Sequence, residues 1–138
     1  MIDLIQEGKV IIIYTVTEVK HKVDSLLKEF ETNNVYEICQ QLNICIFARP
    51  LGPIDACLQY YKNEEDKEFF FIHVNEVIED KLFTIARELG LYFLCKTRSL
   101  FEKSGKLALV EDGLIHLADI FASELLGNGL KKKYVIGA

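Results

Sequence analysis

A chain of 138 residues, half of them apolar and 27% charged, has the length and hydrophobicity of one self-sufficient globular domain and is expected to fold as one over 1–138. Its net charge of −5 and pI near 5.2 weigh against a direct nucleic-acid binder, whose affinity comes mostly from basic side chains on phosphates. The longest apolar run, Val10 to Val16, is far short of the ~20 residues that cross a bilayer, and no basic region opens a signal peptide.

The one basic cluster, Lys131-Lys132-Lys133, reads as a solvated tail. Four cysteines (Cys39, Cys45, Cys57, Cys95) sit among apolar residues with no CxxC pair, so they read as small buried hydrophobes in a reduced, cytoplasmic protein.

Residues 10–16 (VIIIYTV) predict a strand, with a buried helical turn as the alternative. From Glu18 the period changes, and Val19, Val23, Leu26, Leu27 and Phe30 make one helical stripe. Thr32-Asn33-Asn34 offers cap side chains to a shorter helix with Val35, Ile38, Cys39 and Leu42 on one face. Three strands are predicted next. Ile44 to Ala48 stops before the turn Pro50-Leu51-Gly52-Pro53. Residues 54–61 alternate, with Ile54, Ala56, Leu58 and Tyr60 on one face. A charged connection, Asn63 to Lys67, then leads to Phe69–Val74, closed by Asn75, and the three read as a small antiparallel sheet.

Two helices follow. Residues 79–95 place Leu82, Ile85, Ala86, Leu89 and Phe93 on one apolar stripe. The last helix is expected to be capped by Asp112, to bury Leu114, Leu117, Ala118, Phe121 and Leu125, and to stop at Gly127-Asn128-Gly129. Residues 96–111 between them read as irregular, with Gly105 as a turn. Helices packed with a compact sheet make the fold α+β.

Residues 42–126 carry a more specific pattern. In order come NICIFARPLG, the asparagine-closed FFFIHVN, the helix FTIARELGLYFL and the segment ADIFASELL. This ordered set resembles the ImmA/IrrE metallopeptidase family, whose helix reads close to F-T-x-A-H-E-L-G-H and whose later segment reads A-[ND]-x-F-A-x-E-L-L. The resemblance implies a minimal zincin-like metallopeptidase scaffold.

In that family the two histidines of HExxH, at i and i+4 on one helix face, hold a zinc ion. The glutamate between them is the general base toward zinc-bound water. A glutamate three residues before the alanine of the later segment is the third ligand. By resemblance the ligand positions map to Arg87, Leu91 and Ile115, and the general-base position to Glu88. Arginine stays protonated and has no lone pair for a metal, and leucine and isoleucine have no donor atom. The resemblance therefore implies a lost zinc site, with no cofactor and with Glu88 as a vestige.

Two questions stay open at this level. A rearranged metal site from Glu88, His116 and His73 is one alternative; the plainer reading puts His73 on a sheet face, His116 at a helix–helix or solvent boundary and His21 in solvent. Arg87 either supplies fixed charge in place of a metal and pairs with Glu88 or another acid, or snorkels outward while Leu91 and Ile115 fill the cavity.

The resemblance implies a catalytically inactive pseudo-metallopeptidase that acts by binding protein, on a helix-turn-helix repressor of a phage or other mobile element. The alternatives are an active hydrolase with the rearranged site and a structural or inhibitory subunit of an active paralogue. No membrane or direct nucleic-acid role is expected, and a homo-oligomer is left open. Zincin-like peptidases pair an extended peptide with an exposed edge strand, so Phe69, Phe71 and His73 are the expected peptide-binding strand.

Overall fold

Two short strands, β1 (Ile2–Gln6) and β2 (Lys9–Ile13), open the chain as an antiparallel pair. The computed structural model describes residues 2–6, 9–13, 15–94 and 112–137, with side chains over 15–94 and 113–127. Cys95 and the 96–111 segment with its expected turn at Gly105 lie outside the described residues. The predicted strand at Val10 is found, with a partner that periodicity had not marked.

Helix α1 (Val16–Phe30) starts ahead of its apolar stripe because Thr15 and Glu18 form a capping box. The Thr15 hydroxyl accepts from the Glu18 N–H at 3.1 Å, and the Glu18 carboxylate accepts from the Thr15 N–H at 3.2 Å. Val19, Val23 and Leu26 are its buried residues. Helix α2 (Val35–Gln41) is capped as expected by Asn34, whose Oδ1 accepts from the N–H groups of Tyr36 and Glu37.

The second sheet holds β3 (Ile44–Arg49), β4 (Ala56–Lys62) and β5 (Glu68–Asn75) in the order β3-β5-β4. Strands β4 and β5 form the expected hairpin. Strand β3 runs parallel to β5, so the α+β class holds but the sheet is mixed rather than antiparallel. The reason lies in the Pro50–Asp55 connection. Instead of joining neighbouring strands, it crosses the end of β5 and delivers β4 to the far side.

Asn75 secures that crossing. Its backbone N–H donates to the Asp55 carbonyl at 2.7 Å, and its side-chain amide donates to the carbonyls of Gly52 and Ile54 at 2.9 and 3.0 Å. The amide oxygen accepts from the Val77 N–H at 3.3 Å, which turns the chain toward the next helix. Every polar atom of this buried side chain is thus engaged. Gly52 takes φ +61°, the left-handed region that glycine enters without a Cβ penalty.

Helices α3 (Lys81–Leu94) and α4 (Asp112–Gly137) pack on each other, α3 covers β4 and β5, and α1 lies against α4. Leu58, Tyr60, Ile72 and Val74 from the sheet meet Ile85, Leu89 and Phe121 from the helices in one core. Gly90 packs directly against α4: a Cβ there would sit 2.9 Å from the Phe121 ring.

Further expectations need correction. Of the described cysteines, expected as small buried hydrophobes, only Cys39 is buried; Cys45 is exposed and Cys57 half-buried. Ile54 precedes β4 and Leu82 lies in the first turn of α3, so both are about half exposed instead of buried (54% and 49%). Helix α4 does not stop at Gly127-Asn128-Gly129 but runs on through Gly137. Glycine inside a helix costs only about 1 kcal/mol, and the following Leu130 and three lysines are good helix formers. Asp112, expected as a cap, is the first residue of the helix.

Candidate functional site

The turn after β5 sets helix α3 against the sheet. Asp80 accepts from the Phe83 N–H through its carboxylate at 3.1 Å and from the Thr84 hydroxyl through its carbonyl at 3.0 Å, so the first turn is fixed before the motif begins. One turn later stand Arg87 and Glu88, and one further turn on stands Leu91. Glu88 and Leu91 are buried, at 3% and 6% exposure. The Arg87 guanidinium folds back to within 3.6 Å of the Glu88 carboxylate.

Glu88 is one of the few charged side chains buried in the described structure. Burial pushes its carboxyl up from 4.5 to about 7, and the positive charge of Arg87 opposes that rise without cancelling it. A carboxyl that holds its proton near neutrality is what a general acid or base needs. The adjacent charged group is a permanently protonated guanidinium, which supplies positive charge but no lone pair to hold a metal.

On α4, Ile115 is 38% exposed. Leu91 alone of the mapped ligand positions is packed away. Zinc requires nitrogen, sulfur or oxygen donors, four in a structural site and three in a catalytic one. Arg87, Leu91 and Ile115 offer none, and among the described residues no group of three His, Cys, Asp or Glu side chains converges. Arg87, Leu91 and Ile115 do not fit a zinc ion.

The rearranged set is not assembled either. His73 lies on β5 and projects from the face of the sheet opposite Ile72 and Val74, which are the residues that face α3. Its Nε2 and the Gln59 Oε1 are 2.8 Å apart, and its ring stacks on Phe47 at 5.9 Å. Glu88 is buried on α3, which covers the other face of the sheet. His116 is exposed on α4, and His21 is exposed on α1.

The expected peptide-binding strand also needs correction. Strand β5 is central, with β3 on one side and β4 on the other, so its backbone donors and acceptors are already paired. Phe69, Phe71 and His73 remain together, but as side chains on the open face of the sheet. Phe69 and Phe71 rings lie 6.5 Å apart, and Phe71 and His73 rings 6.4 Å apart.

That open face contains residues that local periodicity did not single out. The register sets Phe47 beside His73 and Tyr61 beside Phe69. Phe47 and Tyr61 are exposed at 46% and 52%. Arg49 lies at the end of β3 and joins them around a shallow depression of about 530 Å³. Burial and the Arg49 charge both hold His73 below its ordinary pKa. The signal was present in the sequence as alternation within each strand, but which alternating sets share a face follows only from strand order.

No family model matches the chain, and no solved structure matches it. Among curated proteins, the chain is similar to one named "Metallopeptidase ImmA" from Bacillus subtilis (strain 168), with 42% identity over 116 residues, covering 84% of this chain and 67% of that protein.

Proposed function

The chain belongs to the ImmA metallopeptidase family, and from that premise we propose that it is a degenerate member, a single-domain pseudo-metallopeptidase that works by binding protein and not by hydrolysis. The observation that carries this reading is the face of α3. At the two histidine positions stand a guanidinium and a buried leucine, and the remaining glutamate is engaged by that guanidinium at 3.6 Å. Neither residue can donate to zinc, and Ile115 on α4 cannot complete a ligand set. Arg87 supplies positive charge beside Glu88 where an active relative would have its metal.

The role proposed for such a chain is regulatory, in the cytoplasm, on a helix-turn-helix repressor of a mobile element. Two features are compatible with it. A net charge of −5 disfavours direct contact with DNA, so an effect on transcription would pass through another protein. No helix among the described residues is long and apolar enough to cross a membrane.

Metal analysis tests the first part. The purified chain should hold well under one zinc per molecule, and its melting temperature should not move with chelator or added zinc. One zinc per chain, lost on chelation together with stability, would overturn the reading. Co-expression with a helix-turn-helix repressor encoded beside the gene tests the second part. A complex is expected with the repressor intact, and cleavage of the repressor contradicts the proposal.

A further inference from the structure

The open face of the mixed sheet is unlike the rest of this acidic molecule. Strand register brings Phe47, Arg49, Tyr61, Phe71 and His73 to one side, and no strand residue on that side is acidic. The rings form a continuous set, with Phe47 6.1 Å from Phe71 and 5.9 Å from His73. Large aromatic side chains left half exposed on a strand are unusual unless something covers them. Arg49 is exposed and forms no ion pair among the described residues, in a chain with five more acids than bases. Gln59, hydrogen-bonded to His73 at 2.8 Å, adds a polar group to the floor.

We propose that this face is a docking surface for an extended peptide that presents apolar side chains and a carboxylate, the carboxylate seated on Arg49 and the apolar side chains on Phe47, Phe71 and Tyr61. Charge complementarity selects this occupant. A single guanidinium matches a single carboxylate, and it can do so with two parallel hydrogen bonds. A nucleic acid also stacks on aromatics, but it needs a run of cations along its phosphates. Beyond Arg49 the nearby bases are Lys67, already over the Phe69 ring at 5.5 Å, and Lys62, already 3.8 Å from Asp66. The rest of the surface is net acidic and repels a polyanion.

The inference rests on the protein-binding role proposed above and names the surface and the chemistry of its partner. It is tested on the full chain by NMR titration with three probes: a peptide alternating leucine and glutamate, about eight residues long to match a strand; the same peptide with lysine for glutamate; and oligothymidine. The Leu/Glu peptide should shift the ring resonances of Phe47, Phe71 and His73. Arg49→Glu, at an exposed position, should weaken that binding about tenfold or more, and Arg49→Lys should recover part of it. Equal binding of the lysine peptide, tighter binding of oligothymidine, shifts confined to α3, or no shift at millimolar peptide overturns the site. A repressor that binds Arg49→Glu as tightly as the native chain overturns this surface and leaves the protein-binding role standing.

Discussion

Glu88 carries a carboxyl group whose proton the fold holds far more tightly than the unfolded chain does. Its pKa rises from 4.5 to about 7, with burial as the main cause and Arg87 opposing it. Below pH 4.5 the group is protonated in both states and costs nothing. Between 4.5 and about 7 the unfolded chain releases the proton while the folded chain keeps it, so stability falls as pH rises. Above 7 the full cost is present, roughly 3 kcal/mol. Glu88→Gln should remove this slope. Urea unfolding should show the variant close to the native chain at pH 4.5 and more stable by up to roughly 3 kcal/mol at pH 8. Parallel pH profiles for the two proteins would contradict the assignment. The identities at 87, 88 and 91 needed only the sequence. That Arg87 reaches Glu88 did not follow from it, because adjacent residues point about 100° apart on a helix. The pairing depends on how a long side chain folds back over its own turn.

Packing between helices α3 and α4 accounts for two residues of the family pattern. Gly90, in the ARELG stretch, and Phe121, in ADIFA, are packing partners across the helix interface, and Phe121 is fully buried. Gly90→Ala would place a methyl carbon 2.9 to 3.1 Å from three atoms of Phe121. Alanine gains up to about 1 kcal/mol in helix propensity, but overpacking in a filled core costs about 1–3 kcal/mol. Phe121 is also held by Phe93, with ring centroids 5.9 Å apart, so the ring has little room to move. Calorimetry should therefore show Gly90→Ala lowering the melting temperature by several degrees, and Phe121→Leu in the same chain should recover part of the loss. An unchanged or raised melting temperature would mean that the interface can relax. The helices were legible because their stripes and motif order are local properties. Strand order was not. A strand alternates in the same way beside a parallel or an antiparallel neighbour, and nothing in Pro50-Leu51-Gly52-Pro53 states whether it turns back or crosses over. The Asn75 side chain, bonded to Gly52 and Ile54, is the feature that encodes the crossing, and its meaning emerges only when both ends are in place.

At the scale of the whole molecule, the degenerate reading holds that the scaffold still positions three points where ligands once stood. That claim can be tested by putting the ligands back. Arg87→His and Leu91→His would set two imidazoles at i and i+4 on one face of α3, and Ile115→Glu would add a carboxylate from α4. The costs differ by site. Ile115 is 38% exposed and Arg87 is already polar, so two of the changes fall where polar groups are tolerated. Leu91 is buried at 6% exposure, and an unliganded histidine there should cost about 1–3 kcal/mol. The metal-free triple variant should therefore melt below the native chain. Zinc should reverse this: binding to the folded state alone stabilises it by about 2.7 kcal/mol at a hundredfold excess over Kd. Metal analysis should find one zinc per chain in the triple variant, and the rise in melting temperature should disappear on chelation. Arg87→His alone, with one of the three donors, should bind far more weakly. A folded triple variant that takes up no zinc would show that 87, 91 and 115 do not converge, and the mapping of the lost site onto these residues would fail with it.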